Sequence, residues 1–406
     1  MGNTARQVIG RVRLPVCILL AALVPRDVDA QTDTVVRRAL APGVSYRKLV
    51  EAGGPYVMHV VRVDLRHGGI AIRQARAHDQ LTGRERTSDM VRRASTAGAP
   101  VLAAINADFF WLTTGENENN QVIGGEWWKG LKVTDSPYDT YDNAHVQFGI
   151  DGRGKPVMDR FVLDGAAWAR GVKTPILTLN FNPSGNPEGT ALYTARFGAT
   201  TPRDTARVTA EAIMASAGRR GDTVLYVRRG AASTRSGSAI PGGGAVLAAY
   251  GNGLRRTEVL AMSDGDTVKV VLATLPRLAS RGSLRMLIGG WPRILRDGIN
   301  VADDAATVEG TLSRNAEMKH PRTALGVSRD SATLYLLTVD GRSESSGGMT
   351  LHELADTMRR LGAWQAMNFD GGGSTTMVVE GVVMNAPSDA TGERAVGNAL
   401  MVVRTP

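Results

Sequence analysis

The stretch that most limits the possible folds is residues 322–369, where two apolar segments, a helix signal and a third apolar segment follow one another. The first two segments are RTALGV and TLYLLTV, and with the turn SRDS between them they predict an antiparallel hairpin. The helix signal is TLHELADTMRRLG, in which Thr350 and Glu353 form a capping box and Gly362 follows the last turn. The third segment, AWQAMNF, predicts a strand that the crossover helix makes parallel to TLYLLTV.

These elements predict an α+β fold with a mixed β-sheet, crossover helices and a functional site at one end of the sheet. The 47 glycines against 5% aromatic residues indicate many turns, which is typical of strand-rich or α+β proteins rather than helical bundles. We expect the main domain to span residues 44–406. Within it, a β-rich excursion at about residues 202–285 is either a subdomain or an insertion in the main sheet.

Residues 1–30 have the pattern of a secretory signal peptide. Three arginines precede the apolar run LPVCILLAALV, and the segment ends in VDA, with the small residues that signal peptidase requires. The apolar run is much shorter than the roughly 20 residues of a membrane-spanning helix, so we expect no membrane span. We predict a secreted or periplasmic protein whose mature chain starts near Gln31, with a short leader at residues 31–43.

Charge and cysteine content narrow the classes of function. The formal net charge is +9, and residues 1–30 hold four Arg and two Asp, so the mature chain keeps about +7. This charge favours an anionic partner, although scattered arginines on a solvated surface explain it equally well. The arginines do not cluster between aromatic residues, so we expect no nucleic-acid partner. Cys17 is the only cysteine, which excludes thiol nucleophiles, disulfides and cysteine-ligated zinc from the mature chain.

The segment NFDGGGSTTM places Asp370 before three glycines and three hydroxyl residues. Glycines let the backbone approach a ligand closely, while N–H groups and hydroxyls bind anionic oxygens. We call this predicted phosphate or sugar site the cradle, and its residues are Gly371, Gly372, Gly373, Ser374 and Thr375. A tight Asp-Gly turn between two strands is the alternative interpretation. A Walker loop is excluded because the Lys-Ser/Thr ending is missing.

Chain direction places further polar residues at the same end of the sheet. His320 and Arg322 begin one strand of the hairpin, so they lie beside Asp340 and Arg342 at the end of the other. A later hairpin, TMVVEGVVM, carries Asn385 back to this end. A weak internal repeat adds two polar pairs, because GAPVLAAINADFF and GAWQAMNFDGGG both end a strand in Asn-x-Asp. The pairs are Asn106 with Asp108 and Asn368 with Asp370. Coincidence explains this similarity equally well.

Several motifs resemble those of the phosphodiester glycosidase family. They are HPRTALG, TVDGRSESSGGMTLHEL and MNFDGGGSTTM, in this order, preceded by INADFF and GGWPRILRDG. The resemblance covers roughly residues 50–404 and implies an α+β catalytic domain that hydrolyses sugar-1-phosphodiesters or phosphoglycans. Two departures stand out. Asp108 replaces a common Gly, which either adds a charge to the site or caps a turn, and the cysteine-rich and membrane modules of the animal enzymes are missing.

The chemistry of such a bond assigns roles to these residues. Most glycosidases need two carboxylates, but a phosphomonoester leaves well unaided, so one carboxylate and a cationic clamp suffice. On the resemblance, the catalytic candidates are Asp370 as nucleophile or base, Asp340 as a second carboxylate and His320 as a donor of a proton or a hydrogen bond. The substrate-binding candidates are Arg322 and Arg342 for the phosphate, Asn106, Asn368 and Asn385 for sugar hydroxyls, and Asp108 with the cradle.

Two other functions agree with the same residues. One is a non-catalytic envelope protein that uses the cradle to bind glycans or phosphate. The other is a metal-dependent phosphodiester hydrolase, in which Asp340, Asp370 and Asp108 bind calcium or magnesium. The leading interpretation requires no cofactor. The other histidines lack metal-ligand spacing and are treated as ordinary residues: His59, His67, His78, His145 and His352.

Overall fold

The computed structural model describes residues 1–2, 32–133, 144–183, 188–203, 207, 209–278, 284–310 and 313–406. Strands make up 48% of the structure and helices 12%, so the predicted α+β fold with a mixed sheet and crossover helices is wrong. The protein is mostly β. The signal peptide predicted at residues 1–30 lies outside the described residues except for its first two positions. Within the described chain, no helix has the length and apolar character needed to cross a membrane.

Strands and helices take their numbers from chain order. The first fourteen strands are β1 (Thr32–Ala41), β2 (Val44–Glu51), β3 (Tyr56–Asp64), β4 (Ile70–Arg76), β5 (Glu85–Arg86), β6 (Val101–Asn106), β7 (Gln121–Ile123), β8 (Glu126–Leu131), β9 (Gln147–Asp151), β10 (Pro156–Asp159), β11 (Val162–Ala169), β12 (Val172–Ile176), β13 (Thr178–Leu179) and β14 (Gly189–Thr194). The next strands are β15 (Thr209–Arg220), β16 (Thr223–Arg228), β17 (Ala245–Tyr250), β18 (Thr267–Leu275), β19 (Leu284–Gly289), β20 (Arg293–Arg296), β21 (Ile299–Asn300), β22 (Arg322–Val327), β23 (Thr333–Val339), β24 (Gln365–Phe369), β25 (Met377–Val379), β26 (Val382–Val383), β27 (Ala395–Val396) and β28 (Asn398–Arg404). The helices are α1 (Thr87–Ala94), α2 (Leu254–Leu260), α3 (Ala305–Val308), α4 (Ser313–Glu317) and α5 (Leu351–Leu361).

An eight-stranded sheet combines strands from both ends of the described chain. Its order is β1-β2-β3-β23-β22-β24-β20-β21, and each neighbouring pair is antiparallel. The hairpin predicted from RTALGV and TLYLLTV is β22 with β23. Helix α5 connects β23 to β24, and both strands flank β22, so they run in the same direction. The segment expected to be a leader contains β1, which pairs with β2 at the sheet edge.

Helix α5 forms as its sequence predicts. The Thr350 hydroxyl accepts from the Glu353 N–H at 3.1 Å, and the Glu353 carboxylate accepts from the Thr350 N–H at 2.8 Å. These two bonds complete the capping box. Gly362 ends the helix with a left-handed φ of 106°. The apolar stripe of α5 packs on one face of the eight-stranded sheet, in a core that includes Leu351, Leu354, Met358, Ala324 and Leu337.

The other face of the eight-stranded sheet packs against a five-stranded sheet of order β26-β25-β6-β28-β4. The side chains of the shared core are fully buried, and burying one side chain of this size contributes roughly 1.5–3 kcal/mol. The core includes Val61, Leu325, Leu336 and Phe369 from the larger sheet and Ile105, Met377 and Leu400 from the smaller one. The two sheets form a sandwich, so loops from both sheets meet at its ends.

A thirteen-stranded sheet contains the middle of the chain. Its order is β10-β9-β19-β7-β8-β13-β14-β17-β15-β16-β18-β11-β12. β13 pairs with β14 in parallel, and the other described pairs are antiparallel. The β-rich excursion predicted at about residues 202–285 supplies β15 to β18, which lie between β14 and β11. These strands are therefore continuous with strands from earlier in the chain.

The wrong fold class has a physical explanation. The helix signal of α5 is strong, but the other described helices span only four to eight residues. Neighbouring strands are instead either joined by short turns, where glycines such as Gly43 and Gly124 supply the positive φ that a tight reversal needs, or paired although they lie far apart in the chain. Antiparallel pairing of strands that are near or far in sequence, rather than crossover by helices, therefore builds most of this protein.

Candidate active site

The candidate site lies where β23 and β24 end, on either side of the start of β22. Asp340 and Asp370, the next residues in the chain, therefore leave the sheet at the same edge. Pro321 lies between the loops that follow, because its carbonyl accepts from the Gly372 N–H at 2.8 Å and a Cβ on Gly341 would stand 2.7 Å from its nitrogen. The site is thus built from two loops packed against one proline.

Asp370 is partly exposed at this edge. Its carboxylate accepts hydrogen bonds from the Ser374 hydroxyl and the Gly371 N–H. Burial of the carboxyl raises its pKa to about 6, although those bonds and the charge of Arg394 oppose the rise; the charge of Asp108 adds to it. A carboxyl that titrates near neutrality and reaches the surface can exchange protons with a bound substrate.

The cradle glycines pack closely against protein groups. Gly372 has a φ of 61° and lies against the guanidinium of Arg342. A Cβ on Gly373 would stand 2.0 Å from a carboxylate oxygen of Asp389. The Thr375 hydroxyl is buried, and no hydrogen-bond partner for it is found among the described residues. The glycines are therefore required by the fold of the site itself, whatever the cradle binds.

An ion pair that the sequence did not predict lies over the cradle. Arg394 donates from Nε and Nη2 to the two carboxylate oxygens of Asp389, at 2.7 and 2.9 Å. Its Nη1 donates to the Ser374 hydroxyl at 3.4 Å. The charge of Arg394 lowers the pKa of Asp370. The sequence indicates this ion pair only through the opposite charges of Asp389 and Arg394 in the turn-rich segment PSDATGERA. That segment has no strand or helix periodicity from which the directions of the two side chains could be predicted.

Asp108 comes from the facing five-stranded sheet, two residues after β6, and is 1% exposed. Asn119 donates to one carboxylate oxygen from Nδ2 at 2.7 Å and to the other from its backbone N–H at 3.2 Å. Burial raises the Asp108 pKa to about 6, against these bonds and the attraction of Lys129 and His145. Asp108 is therefore a buried carboxyl beside the site, and its polar neighbours were not predicted from the sequence.

Asn106 holds the site together from inside. Its Nδ2 donates to the Asp370 carbonyl at 2.7 Å. Its Oδ1 accepts from the Thr323 hydroxyl at 2.7 Å and from the Thr376 N–H at 3.0 Å. Both polar groups of the fully buried amide are thus used by the protein. This geometry supports a positioning role more than the predicted contact with sugar hydroxyls.

Two other asparagines also bond the backbone. Asn385 accepts from the Met377 N–H at 2.7 Å and donates to the Thr375 carbonyl at 2.9 Å, which fixes the loop after the cradle. Asn368 donates to the Trp291 carbonyl at 2.6 Å. The Asn368 Oδ1 is buried, and the described part of the chain offers it no donor.

Asp340 faces the interior of the sandwich. Its Oδ1 accepts from the Ala386 N–H at 3.0 Å, and its Oδ2 lies 3.6 Å from His59 Nε2. His59 Nδ1 is in turn 2.8 Å from the Tyr46 hydroxyl, whose pKa burial raises to about 12. His59, which was treated as an ordinary residue on the sequence alone, thus links Asp340 to the interior of the sheet.

Arg322 does not match its predicted role as a phosphate clamp. Its Nε donates to the Met349 carbonyl at 2.8 Å, and its Nη2 donates to the carbonyls of Asn315 and Met318 at 2.7 and 2.9 Å. Burial lowers its pKa to about 10. Because these three N–H groups serve carbonyl oxygens, only Nη1 is left for another partner.

Arg342 is the more accessible cation. It is exposed, has a φ of 61° and donates to the Ser388 hydroxyl at 3.4 Å, with its guanidinium against Gly372. His320 is half-buried nearby. Burial lowers the pKa of His320, and the charges of Arg322 and Arg342 lower it further. These effects disfavour the imidazolium form of His320.

Two observations bear on rival sites. Within the described ranges, no group of three or more His, Asp or Glu side chains has the geometry to hold a metal ion. A cavity of about 790 Å³ lies against the thirteen-stranded sheet and is lined by residues such as Trp127, Tyr226 and Val270. That cavity shares no residue with the site described above. The site is chosen as the candidate active site for its carboxyl and guanidinium groups.

The family comparison matches the C-terminal half of the chain. Residues 214–403 match the family model described as phosphodiester glycosidase. The SPbeta prophage-derived uncharacterized protein YomE of Bacillus subtilis is 40% identical over 96 residues, which are 24% of this chain and 15% of that protein. The N-acetylglucosamine-1-phosphodiester alpha-N-acetylglucosaminidase of Bos taurus is 32% identical over 160 residues, 38% of this chain and 30% of that enzyme.

A solved structure extends the comparison to most of the fold. The crystal structure of a hypothetical protein from Synechocystis superposes with a TM-score of 0.69 at 21% identity, over 90% of this chain and 62% of that one. At this identity the likeness concerns the fold alone. The matched segments span less than a third of the two curated relatives. The resemblance seen in the C-terminal motifs is confirmed for residues 214–403.

Proposed function

We propose, because residues 214–403 match the phosphodiester glycosidase family, that this chain is a hydrolase that cleaves the sugar–phosphate bond of glycosyl-1-phosphodiesters. The position of Asp370 carries the proposal. Its carboxyl has a pKa of about 6 and is partly exposed, and the cradle that follows it contacts Arg342 at Gly372 and Arg394 at Ser374. A carboxyl of this kind can attack an anomeric carbon or activate water, while guanidinium groups bind phosphate.

Each step of the hydrolysis can be assigned to particular residues of the site. The bond between the anomeric carbon and the bridging oxygen breaks, the oxygen leaves on the phosphate as a monoester, and water supplies the new sugar hydroxyl. Asp370 attacks the carbon or takes the proton from water. Arg342 and Arg394 hold the phosphate and its developing charge. His320 serves as a hydrogen-bond partner, since burial and the two nearby arginines lower its pKa and disfavour the imidazolium form.

We propose envelope or extracellular glycans as the substrates, on the pattern of an export signal at residues 1–30. Export predicts a mature N-terminus near Gln31. Sequencing the N-terminus of protein recovered from the periplasm or the medium tests this. Recovery of the chain with Met1 in place would contradict export.

A product assay tests the activity. Purified mature protein is incubated with a panel of sugar-1-phosphodiesters that begins with N-acetylglucosamine-1-phosphodiesters, since the Bos taurus relative is named for that bond. Free reducing sugar with a phosphomonoester supports the proposal. Sugar-1-phosphate with a free alcohol would show that the other ester bond is cut. Binding without turnover would indicate a glycan-binding protein, and activity lost to a chelator and restored by calcium or magnesium would indicate the metal-dependent reaction.

A further inference from the structure

Part of the thirteen-stranded sheet curls around an apolar interior of its own. The strands run in the order β8-β13-β14-β17-β15-β16-β18-β11, and the last of these eight lies against the first. The approach is close, because a Cβ on Gly130 of β8 would stand 3.0 Å from the Leu163 side chain of β11. The interior is filled by buried apolar side chains that include Leu179, Leu192 and Val270. Ligand sites often lie in the mouth of a sheet that closes in this way.

The cavity of about 790 Å³ adjoins this interior, because Leu179, Leu192 and Val270 line it as well. Its volume falls within the roughly 300–1,000 Å³ of most small-molecule sites. Its buried side chains are apolar or aromatic, apart from Thr274, whose hydroxyl donates to a backbone carbonyl at 3.2 Å. We call Leu179, Leu192, Tyr226 and Val270 the floor of the cavity. The floor suits an apolar group and offers no charge to a ligand.

Charged residues surround the mouth of the cavity. The exposed lining residues include three arginines and two carboxylates, which are Arg196, Arg219, Arg277, Glu126 and Asp222. Arg196 donates to both carboxylate oxygens of Glu126, at 3.1 and 2.8 Å, and Arg277 is paired with Asp164. Arg219 donates from Nε to the Gly221 carbonyl at 2.7 Å, and within the described ranges no ion pair involves it. Its two Nη groups are therefore left to bind an anion at the mouth.

We propose that this cavity binds an amphipathic anion, with an aliphatic chain on the floor and an anionic head group at Arg219. The inference goes beyond the proposed function, because the cavity shares no residue with the site of Asp370. Burial of an aliphatic chain against the floor provides affinity, and a guanidinium group binds phosphate or carboxylate through two parallel hydrogen bonds. Three cations against two anions at the mouth also favour an anion over a cation.

Calorimetric titration of the purified protein with alkyl probes, all kept below their micelle concentrations, tests the site. Decyl phosphate should bind about tenfold more tightly than octyl phosphate, because its two additional methylene groups are buried on the floor. Decyltrimethylammonium has the same chain and the opposite charge, and it should bind about tenfold more weakly than decyl phosphate. Decanoate, measured beside decyl phosphate, distinguishes a carboxylate head group from a phosphate. No binding of either anion, or equal binding of the phosphate and the ammonium, overturns the proposal.

Single substitutions test the charges at the mouth. Arg219→Ala should weaken the binding of decyl phosphate about tenfold, because the head group loses its guanidinium partner. Arg220→Ala is the matched control, since Arg220 is exposed, does not line the cavity and loses the same charge, so the affinity should stay unchanged. Asp222→Asn should tighten the binding, because it removes a negative charge from the mouth. Equal losses of affinity in Arg219→Ala and Arg220→Ala overturn the proposed head-group site.

A second pair of variants tests whether the probe enters the cavity. Ala195 and Ala97 are both exposed alanines in turns, but only Ala195 lines the cavity. Ala195→Trp should block the mouth and abolish the binding of decyl phosphate, whereas Ala97→Trp should leave it unchanged. Because both positions are exposed, we expect both variants to fold, and melting curves check this. Normal binding by folded Ala195→Trp would show that the probe binds elsewhere, and it would overturn the proposal.

Discussion

Asn106 donates from Nδ2 to the carbonyl oxygen of Asp370 at 2.7 Å, across 264 positions of sequence. The same amide accepts from the Thr323 hydroxyl and the Thr376 N–H. One buried side chain therefore joins the five-stranded sheet, the eight-stranded sheet and the loop that contains the cradle. The placement of Asp370 depends on this junction as much as on its own strand.

Asn106→Ala should damage stability and activity together. It leaves the Thr323 hydroxyl and two backbone groups without their buried partner, so we expect the free energy of unfolding to fall by about 2–4 kcal/mol. We also expect kcat to fall about tenfold or more, because Asp370 loses its anchor. Urea denaturation and initial rates measure the two effects.

The matched control is Asn300→Ala. Asn300 also makes three hydrogen bonds, but it is only half-buried, so water can replace them. We expect a loss below about 1 kcal/mol and normal kcat. Equal losses of unfolding free energy and kcat in the two variants would mean that the Asn106 junction contributes no more than a half-buried asparagine does.

Asp370→Asn tests the catalytic assignment. The amide keeps the shape of the side chain but can neither accept a proton nor attack carbon, so kcat should fall about 10²-fold or more. If the motif is only an Asp-Gly turn, asparagine tolerates the same backbone and turnover stays near normal. Melting curves recorded beside the rate measurements establish that the variant is folded.

The shared edge of Asp340 and Asp370 could be predicted because it depends on local signals. A capping box, two apolar segments joined by a turn and the direction rule for a crossover are all contained within residues 322–369. The fold class could not be predicted in this way. It depends on how short strands far apart in sequence pair with one another, and single strands do not encode their partners.

The position of Arg322 is a second feature that the sequence alone could not predict. Alternation along β22 predicts that Arg322 and Thr323 point to opposite faces. Which face carries the site is decided by the five-stranded sheet, whose Asn106 bonds Thr323. The Asp389–Arg394 ion pair could not be predicted from the sequence for another reason. An irregular segment has no periodicity from which the direction of a side chain can be predicted.

Arg342→Ala and Arg322→Ala should separate binding from folding. Removing Arg342, which is exposed beside the cradle, should raise KM and lower kcat at nearly unchanged stability. Removing Arg322 leaves three carbonyl groups without their donor and should cost about 2–3 kcal/mol of folding free energy. Substrate kinetics and urea denaturation of both variants give the comparison. A larger rise in KM for Arg322→Ala would return the phosphate clamp to that residue.

Stability should fall as pH rises through the range in which the carboxyls of Asp108 and Asp370 titrate. Asp108 and Asp370 have pKa values near 6 in the folded protein, above the roughly 3.9 of an unfolded aspartate. Between these values the folded state holds more protons than the unfolded state, so the free energy of unfolding decreases with pH.

Asp370→Asn should lessen that decrease. At pH 7 we expect the variant to be about 1–2 kcal/mol more stable than the wild type, a figure reduced for the partial exposure of Asp370. The difference should vanish only near pH 3 or below, roughly one unit under the unfolded pKa, because the wild-type carboxyl is then mostly protonated in both states. Urea titrations at both pH values check the sign. A variant less stable than the wild type at pH 7 would mean that Asp370 is a stabilising anion.

Gly373→Ala isolates the contribution of the ion pair over the cradle. A Cβ there would stand 2.0 Å from an Asp389 oxygen and 2.2 Å from Arg394 Nη2, so the pair must move. The φ of Gly373 is not positive, so backbone strain does not confuse the result. With Arg394 displaced, the pKa of Asp370 should rise and the phosphate should lose a cation, which moves the acid limb of the kcat/KM profile upward and lowers its plateau. Gly347→Ala, in the loop after β23 where a Cβ meets no atom within 4 Å, should leave the profile unchanged. If the two variants behave alike, Arg394 and Asp389 are not part of the working site.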